Sequence, residues 1–265
     1  MGKRPKRKIV LVLVEGKSDR EALRSAISEL YERIDENIEV FFPVIRDGCK
    51  DRGGDITTSF YIDKRNKSRK VTPENIEDAI YLLFLENFFD QNKIMPKDIS
   101  EIIQVVDLDG AYIPDDCVLL DSEIPQDQSP FYDEENIYCS DVAKIIKRNK
   151  QKRENLDYLS SRKTIKVKSQ SKPYSIYYFS SNLDHFLHHD ANLDNHQKVK
   201  YAEEFSFKFI ENVEGFVNEI SEDQDATRDM TYKESWNYIK EGTHSLERHT
   251  NLNLLMRSLW SEFMS

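Results

Sequence analysis

The apolar positions of this chain fall into blocks with two different periods. Residues 8–14, KIVLVLV, form an unbroken apolar run after Lys8, rich in β-branched residues, the pattern of a strand buried on both faces. In DREALRSAISELYERI the spacing changes. Ala22, Leu23, Ala26, Ile27, Leu30 and Ile34 recur at helical intervals, which predicts an amphipathic helix, with Ser18 as N-cap and Glu21 completing a capping box. EVFFPVI (39–45) predicts a second strand, and 46–72, holding Gly48, Gly53 and Gly54, a long loop or irregular hairpin. Thr72 or Pro73 opens a helix through PENIEDAIYLLFLENFFDQ, since proline suits a first turn. EIIQVV (101–106) predicts the third strand, and 113–135, with Pro114, Pro125 and Pro130, an extended loop. SDVAKIIKRNKQKRENLDYL reads as a basic amphipathic helix, and YSIYYFS (174–180) as a fourth strand leading to a helix, NLDHFLHH, capped by Asn182. From about 198 onward the patterns are helical only, clearest in HSLERHTNLNLLMRSLWSEFM.

This alternation of strands and helices predicts an α/β fold with a parallel sheet flanked by helices over 8–190, followed by a helical extension over 191–265. Ligands of such sheets bind beyond the carboxyl ends of the strands. Glu15, Asp107 and Asp109 all fall there.

Composition narrows the class. The 265 residues are 38% hydrophobic and 32% charged, and no apolar run approaches a membrane span, so a soluble globular protein without a membrane partner is expected. The basic start, MGKRPKRK, precedes an apolar stretch too short for a signal peptide. Cys49, Cys117 and Cys139 are far apart and form no CxxC pair, which disfavours a zinc cluster or disulfide framework and points to a reducing cytoplasm. The net charge is −10, but it is unevenly spread. Residues 86–141 hold fifteen acids against two lysines, and residues 144–172 hold eleven Lys/Arg against two acids. A smaller basic cluster, KRNKSRK, occupies 64–70. Adjacent blocks of opposite sign suit an acidic metal site beside a polyanion-binding surface; a solvated loop and helix face is the plainer explanation.

The chemistry concentrates in VVDLDGAY. On an extended chain Asp107 and Asp109 project to the same side, and two neighbouring carboxylates repel unless something neutralises them. A hard divalent cation that keeps several waters needs only a few carboxylates. Glu15 alone could equally be a helix N-terminal acid stabilised by the macrodipole.

An apolar strand followed by EGKSDREAL, and later an apolar strand followed by DLD, resembles the Toprim domain of topoisomerases, bacterial primases, the 5S-rRNA maturase and OLD-family nucleases. The resemblance implies a Toprim-like parallel sheet and a Mg²⁺- or Mn²⁺-dependent endonuclease acting on RNA or DNA. It makes Glu15 the general acid or base, Asp107, Asp109 and Glu15 the metal-binding residues, and Asp19 a further catalytic acid. Length and the helical tail are similar to the small Toprim effectors of bacterial anti-phage systems, such as the PARIS system, where the Toprim subunit works with an ABC-type ATPase. The absence of a Walker A sequence means such an ATPase would be a separate protein.

VVDLDGAY also resembles the first motif of haloacid-dehalogenase-type phosphatases. That resemblance implies Asp107 as nucleophile, Asp109 as general acid, and the use of Ser180 after the strand IYYFS and of a downstream lysine such as Lys198 in the same site. Ala111 departs from the Thr or Val usual there, and a full strand–helix unit precedes the motif. A non-catalytic interaction protein is the third alternative.

Other residues give weaker signals. His185, His188 and His189 lack a second ligand pair and read as an ordinary helix start. Lys144, Lys147, Arg148 and Lys152 would line a nucleic-acid backbone track, or else a face for an acidic partner. Trp236, Trp260 and the Leu and Phe residues of the tail suit a core or a homo-oligomer interface.

Overall fold

The computed structural model describes residues 7–47, 50–63, 65–222 and 229–265. Gly48, Cys49 and Lys64, singled out in the sequence, lie outside the described residues, as do residues 1–6 of the basic start. In chain order the strands begin with β1 (Lys8–Leu13) and β2 (Ile38–Phe41). Two short hairpins follow, β3–β4 (Arg46–Asp47, Lys50–Asp51) and β5–β6 (Phe60–Ile62, Ser68–Lys70), and then β7 (Ile99–Asp107). β8 (Val118–Leu120), β9 (Phe131–Tyr132) and β10 (Ile137–Cys139) form a small separate sheet, and β11 (Thr164–Val167) and β12 (Gln170–Phe179) complete the series. The helices are α1 (Lys17–Ile34), α2 (Ile76–Ile80), α3 (Glu86–Asn92), α4 (Val142–Ser160), α5 (Leu183–His188), α6 (Asn195–Lys208), α7 (Val213–Glu222), α8 (Tyr232–Tyr238) and α9 (Leu252–Phe263).

The central sheet runs β11-β12-β7-β1-β2. β12, β7, β1 and β2 are parallel, and β11 is an antiparallel edge. The period-two alternation of β1 divides the core. Ile9, Leu11 and Leu13 pack with Ile76, Phe84, Leu156 and Trp236 on one face; Val10, Val12 and Val14 pack with Leu23, Ile27, Phe205, Phe216 and Met256 on the other. In the helical extension, α6, α7 and α9 share a core with α1 and the sheet, and α8 covers the opposite face.

Several expected boundaries shift for local reasons. α1 starts at Lys17, ahead of the expected Ser18 cap; Gly16 takes the cap position, and its N–H donates to the Asp19 carboxylate at 2.6 Å, so Asp19 replaces Glu21 in closing the first turn. β2 stops at Phe41, just before Pro43, which has no N–H for a ladder. α2 begins at Ile76 because Asn75 holds residues 72–75 in a turn, its Oδ1 accepting from Thr72 N–H at 2.9 Å. A π-helical turn, Tyr81–Leu85, separates α2 from α3. The supposed loop 113–135 contains β8 and β9, and the basic stretch hides β11, whose buried Ile165 and Val167 alternate with exposed Thr164 and Lys166. The last predicted helix is split: Thr250 bridges to Phe179 as an extended residue, and the helix restarts at Leu252. Among the described residues no helix is long and apolar enough to cross a membrane.

Candidate acidic site at the carboxyl edge of the sheet

Glu15 lies two residues past the end of β1, where the chain meets the turn at 53–54. Gly54 N–H donates to Glu15 O at 2.7 Å. Gly53 has φ +70°, and a Cβ there would stand 2.9 Å from Glu15 O, so only glycine fits this approach without displacement. Asp107 ends the adjacent strand, β7. Its N–H donates to Glu15 Oε1 at 3.3 Å, and its own Oδ1 accepts from Leu183 N–H, the first residue of α5, at 2.9 Å. Asn182 caps α5 as expected, accepting from His185 N–H at 2.8 Å.

Asp109 does not follow the strand alternation. β7 ends at Asp107, and Asp109 and Gly110 are left-handed, with φ of +49° and +64°. The turn brings the Asp109 carboxylate to Lys152, whose Nζ lies 2.6 Å from Asp109 Oδ2 and 3.0 Å from Asp55 Oδ2. Arg148, one helical turn earlier on α4, donates to Asp109 O at 3.0 Å and to the Tyr132 hydroxyl at 2.9 Å. The four cations expected to form one track therefore separate. Lys152 and Arg148 are drawn into the acidic site because they lie on the inward side of α4, whereas Lys144 and Lys147 are exposed. Asp55 was not foreseen. Its signal was its place directly after Gly53 and Gly54, a glycine pair that turns the chain back onto the strand ends.

These contacts push the acids apart in proton affinity. Burial raises the Glu15 carboxyl well above the ordinary carboxylate range; Asp55, Asp107 and Asp109 add to the rise, and Lys152 opposes it. Asp107 is likewise raised well above its usual value, by burial and then by Asp19 and Asp109. Burial also raises Asp19, partly offset by the Gly16 N–H. For Asp109 burial acts upward, but Lys152 and Arg148 outweigh it, and its pKa falls. Clustered acids with such divergent affinities suit proton transfer beside a fixed charge.

A cavity of about 760 Å³ opens over Asp107 and Asp109. Its walls are the 121–132 segment and residues 191–194, joined where Tyr132 N–H donates to Asn192 Oδ1 at 2.9 Å and Asn192 Nδ2 donates to Tyr132 O at 2.8 Å. Lys198 lines this cavity and pairs with Asp184 at 2.9 Å. Ser180 does not reach it: its side chain is buried, with Oγ 2.7 Å from His249 Nδ1. His185 and His188 lie on α5, and burial lowers both pKa values.

The donor set is made of carboxylate oxygens, the chemistry a hard divalent cation takes, and burial beside other carboxylates raises Glu15 and Asp107, so a bound cation would favour their ionised forms. The side chains are not gathered into a coordination shell: among the described residues no three His, Cys, Asp or Glu side chains form a group that could hold a metal. The ammonium of Lys152 occupies the place between Asp55 and Asp109 instead.

No family model matches this chain, and no curated protein or solved structure shows significant similarity to it.

Proposed function

We propose that the protein is a Toprim-type, divalent-metal-dependent endonuclease that cuts RNA or DNA, a defence effector working with a separate ABC-type ATPase. The observation that carries this reading is the meeting of Glu15 and Asp107, 92 positions apart, with Asp109 at the carboxyl edge of one parallel sheet. The phosphatase resemblance makes no demand on Glu15.

Glu15, Asp107 and Asp109 would hold Mg²⁺ or Mn²⁺, which supplies Lewis-acid polarisation of a phosphate when bound. The chain's own residues account for the rest. Glu15, with its raised affinity, carries a proton to the leaving oxygen or accepts one from water. Lys152 and Arg148 keep Asp109 ionised, and Arg148 also ties the Tyr132 wall of the cavity to the site. Lys144 and Lys147, exposed near the start of the same helix, would meet a polyanion. The buried Ser180 hydroxyl, turned to His249, argues against the phosphatase alternative, which would use that residue in its site.

The test is cleavage of labelled RNA and DNA by the purified chain, alone and with an ABC-type ATPase encoded beside it, in Mg²⁺ and in EDTA. Cleavage should require the metal and vanish in Asp107→Asn. Phosphomonoester hydrolysis that survives Glu15→Gln would assign the phosphatase reading instead. Inactivity in every condition, with partner binding retained by both variants, would make this an interaction protein.

A further inference from the structure

Part-way along β12 the sheet loses its edge strand. β11 pairs only with Gln170–Pro173. Beyond it, the open side of β12 is met by a side chain: the Tyr232 hydroxyl of α8 donates to Ile176 O at 2.8 Å and accepts from Ile176 N–H at 3.4 Å. Between these two coverings, at Ser175, a cavity of about 570 Å³ opens, a size typical of small-molecule sites.

Its lining is unlike the rest of this acidic chain. The half-buried Tyr232 is its accessible ring, with the buried Tyr174, Tyr177 and Trp236 behind it, and Arg162, Lys163, Lys233 and Lys240 contribute four cations. Among the described residues the single acid in the lining is Asp157, which is already occupied: it accepts from the Tyr112 hydroxyl at 2.9 Å and pairs with Lys240 at 2.7 Å. Arg162 is loosely committed, 3.8 Å from Glu77 and stacked over Tyr158. The ammonium groups of Lys163 and Lys233 are exposed and have no hydrogen-bond or ion-pair partner among the described residues. An aromatic face beside unpaired cations complements a ligand with a flat aromatic body and an anionic end. Bases stack on aromatic side chains without regard to sequence, and Lys and Arg take phosphate oxygens through charge-assisted hydrogen bonds. Simple core packing would explain the rings but not the excess of cations around them.

We propose that this cavity is a nucleotide-binding site, with the base against Tyr232 and the phosphate on Lys163 and Lys233. None of the acids at the carboxyl edge lines it, so it is separate from the acidic site and does not depend on the nuclease reading. The nucleotide could be free or one unit of a strand.

The experiment is calorimetric titration of the full chain with AMP, ATP, and tetranucleotides of single-stranded RNA and DNA. Saturable binding is expected. Tighter binding of a mononucleotide identifies a free ligand, and tighter binding of a tetranucleotide a strand. Lys163→Glu and Lys233→Glu, both at exposed positions, should each weaken binding about tenfold by removing a charge-assisted hydrogen bond. Asn237→Trp, a second surface change in the lining, should obstruct it. Lys200→Glu, an exposed charge reversal outside the lining, should bind like the wild type, whether or not the chain proves to be a nuclease. The proposal is overturned if no nucleotide or tetranucleotide binds at millimolar concentration. Binding kept unchanged in both lysine variants also overturns it, as does an acidic peptide binding there when nucleotides do not.

Discussion

The ammonium of Lys152 sits 2.6 Å from the Asp109 carboxylate with none of the lysine side chain exposed, and it reaches Asp55 at 3.0 Å from the same position. A buried ammonium persists only when it is paired, and removing one partner of a buried pair leaves the other charge uncompensated. Lys152→Met should therefore lower stability by about 3–5 kcal/mol, read by urea denaturation in EDTA. Mg²⁺ should then restore more stability to the variant than it adds to the wild type, because two further carboxylates are left unneutralised. Equal stability of the two proteins, with equal responses to Mg²⁺, would remove Lys152 from its place as internal counterion.

Glu15 is the group whose loss should separate chemistry from folding. Its folded pKa is raised, so the carboxylate form is disfavoured by the fold, and the associated stability is present at low pH and lost as pH rises through the folded value. Glu15→Gln keeps the shape and removes that liability. The variant should fold with equal or greater stability near neutral pH and lose about 10²–10⁴-fold in cleavage rate, the usual contribution of general acid–base catalysis. A clearly destabilised variant would show that the charge of Glu15 supports the fold.

Lys144 and Lys147 are the exposed residues left from the expected cationic track. Their joint reversal to Glu should weaken nucleic-acid binding. It should also flatten the dependence of log affinity on log salt by about 0.7–0.9 for each phosphate that is no longer neutralised. The comparison is a binding isotherm series across salt concentrations. Unchanged binding together with failure to associate with an ATPase would identify this end of α4 as a partner surface.

His249 gives the fold a pH dependence that does not involve the acidic site. It is buried against Ser180 and Tyr178, stacks edge-on with Tyr238, and burial lowers its pKa to about 3, with His244 adding to the fall. A depressed folded value means the neutral ring is favoured, so stability is full above the unfolded pKa and declines as pH drops toward the folded one. Between pH 6.5 and 3 the loss approaches about 1.4 kcal/mol per pH unit from this residue. His249→Asn should be less stable at pH 7 but show a shallower decline below pH 6.5, measured by urea midpoints across that range. Parallel curves for the two proteins would rule out His249 as the source.

Local pattern was sufficient wherever one period dominated. β1 and β7 are buried on both faces, so their continuous apolar runs mark them, and the three- and four-residue spacing of Ala22, Leu23, Ala26 and Ile27 marks α1. The carboxyl-edge acids were legible for the same reason, since a strand that ends in Asp107 delivers it to that edge. The sequence did not reveal β11, because Lys166 on its solvent side and the lysines flanking it mask a four-residue alternation, nor the break before α9, where backbone pairing of Thr250 with Phe179 overrides helix propensity. It was also silent on which charges would meet. Lys152 and Lys147 look alike in KRNKQKRE, but they point in different directions from α4: one is enclosed between Asp55 and Asp109, the other stands in solvent. Side-chain direction and burial set the worth of a charge, and both arise from packing between segments far apart in the chain. The acids of this protein are thus a property of its sequence, while their partners and proton affinities are decided by its tertiary structure.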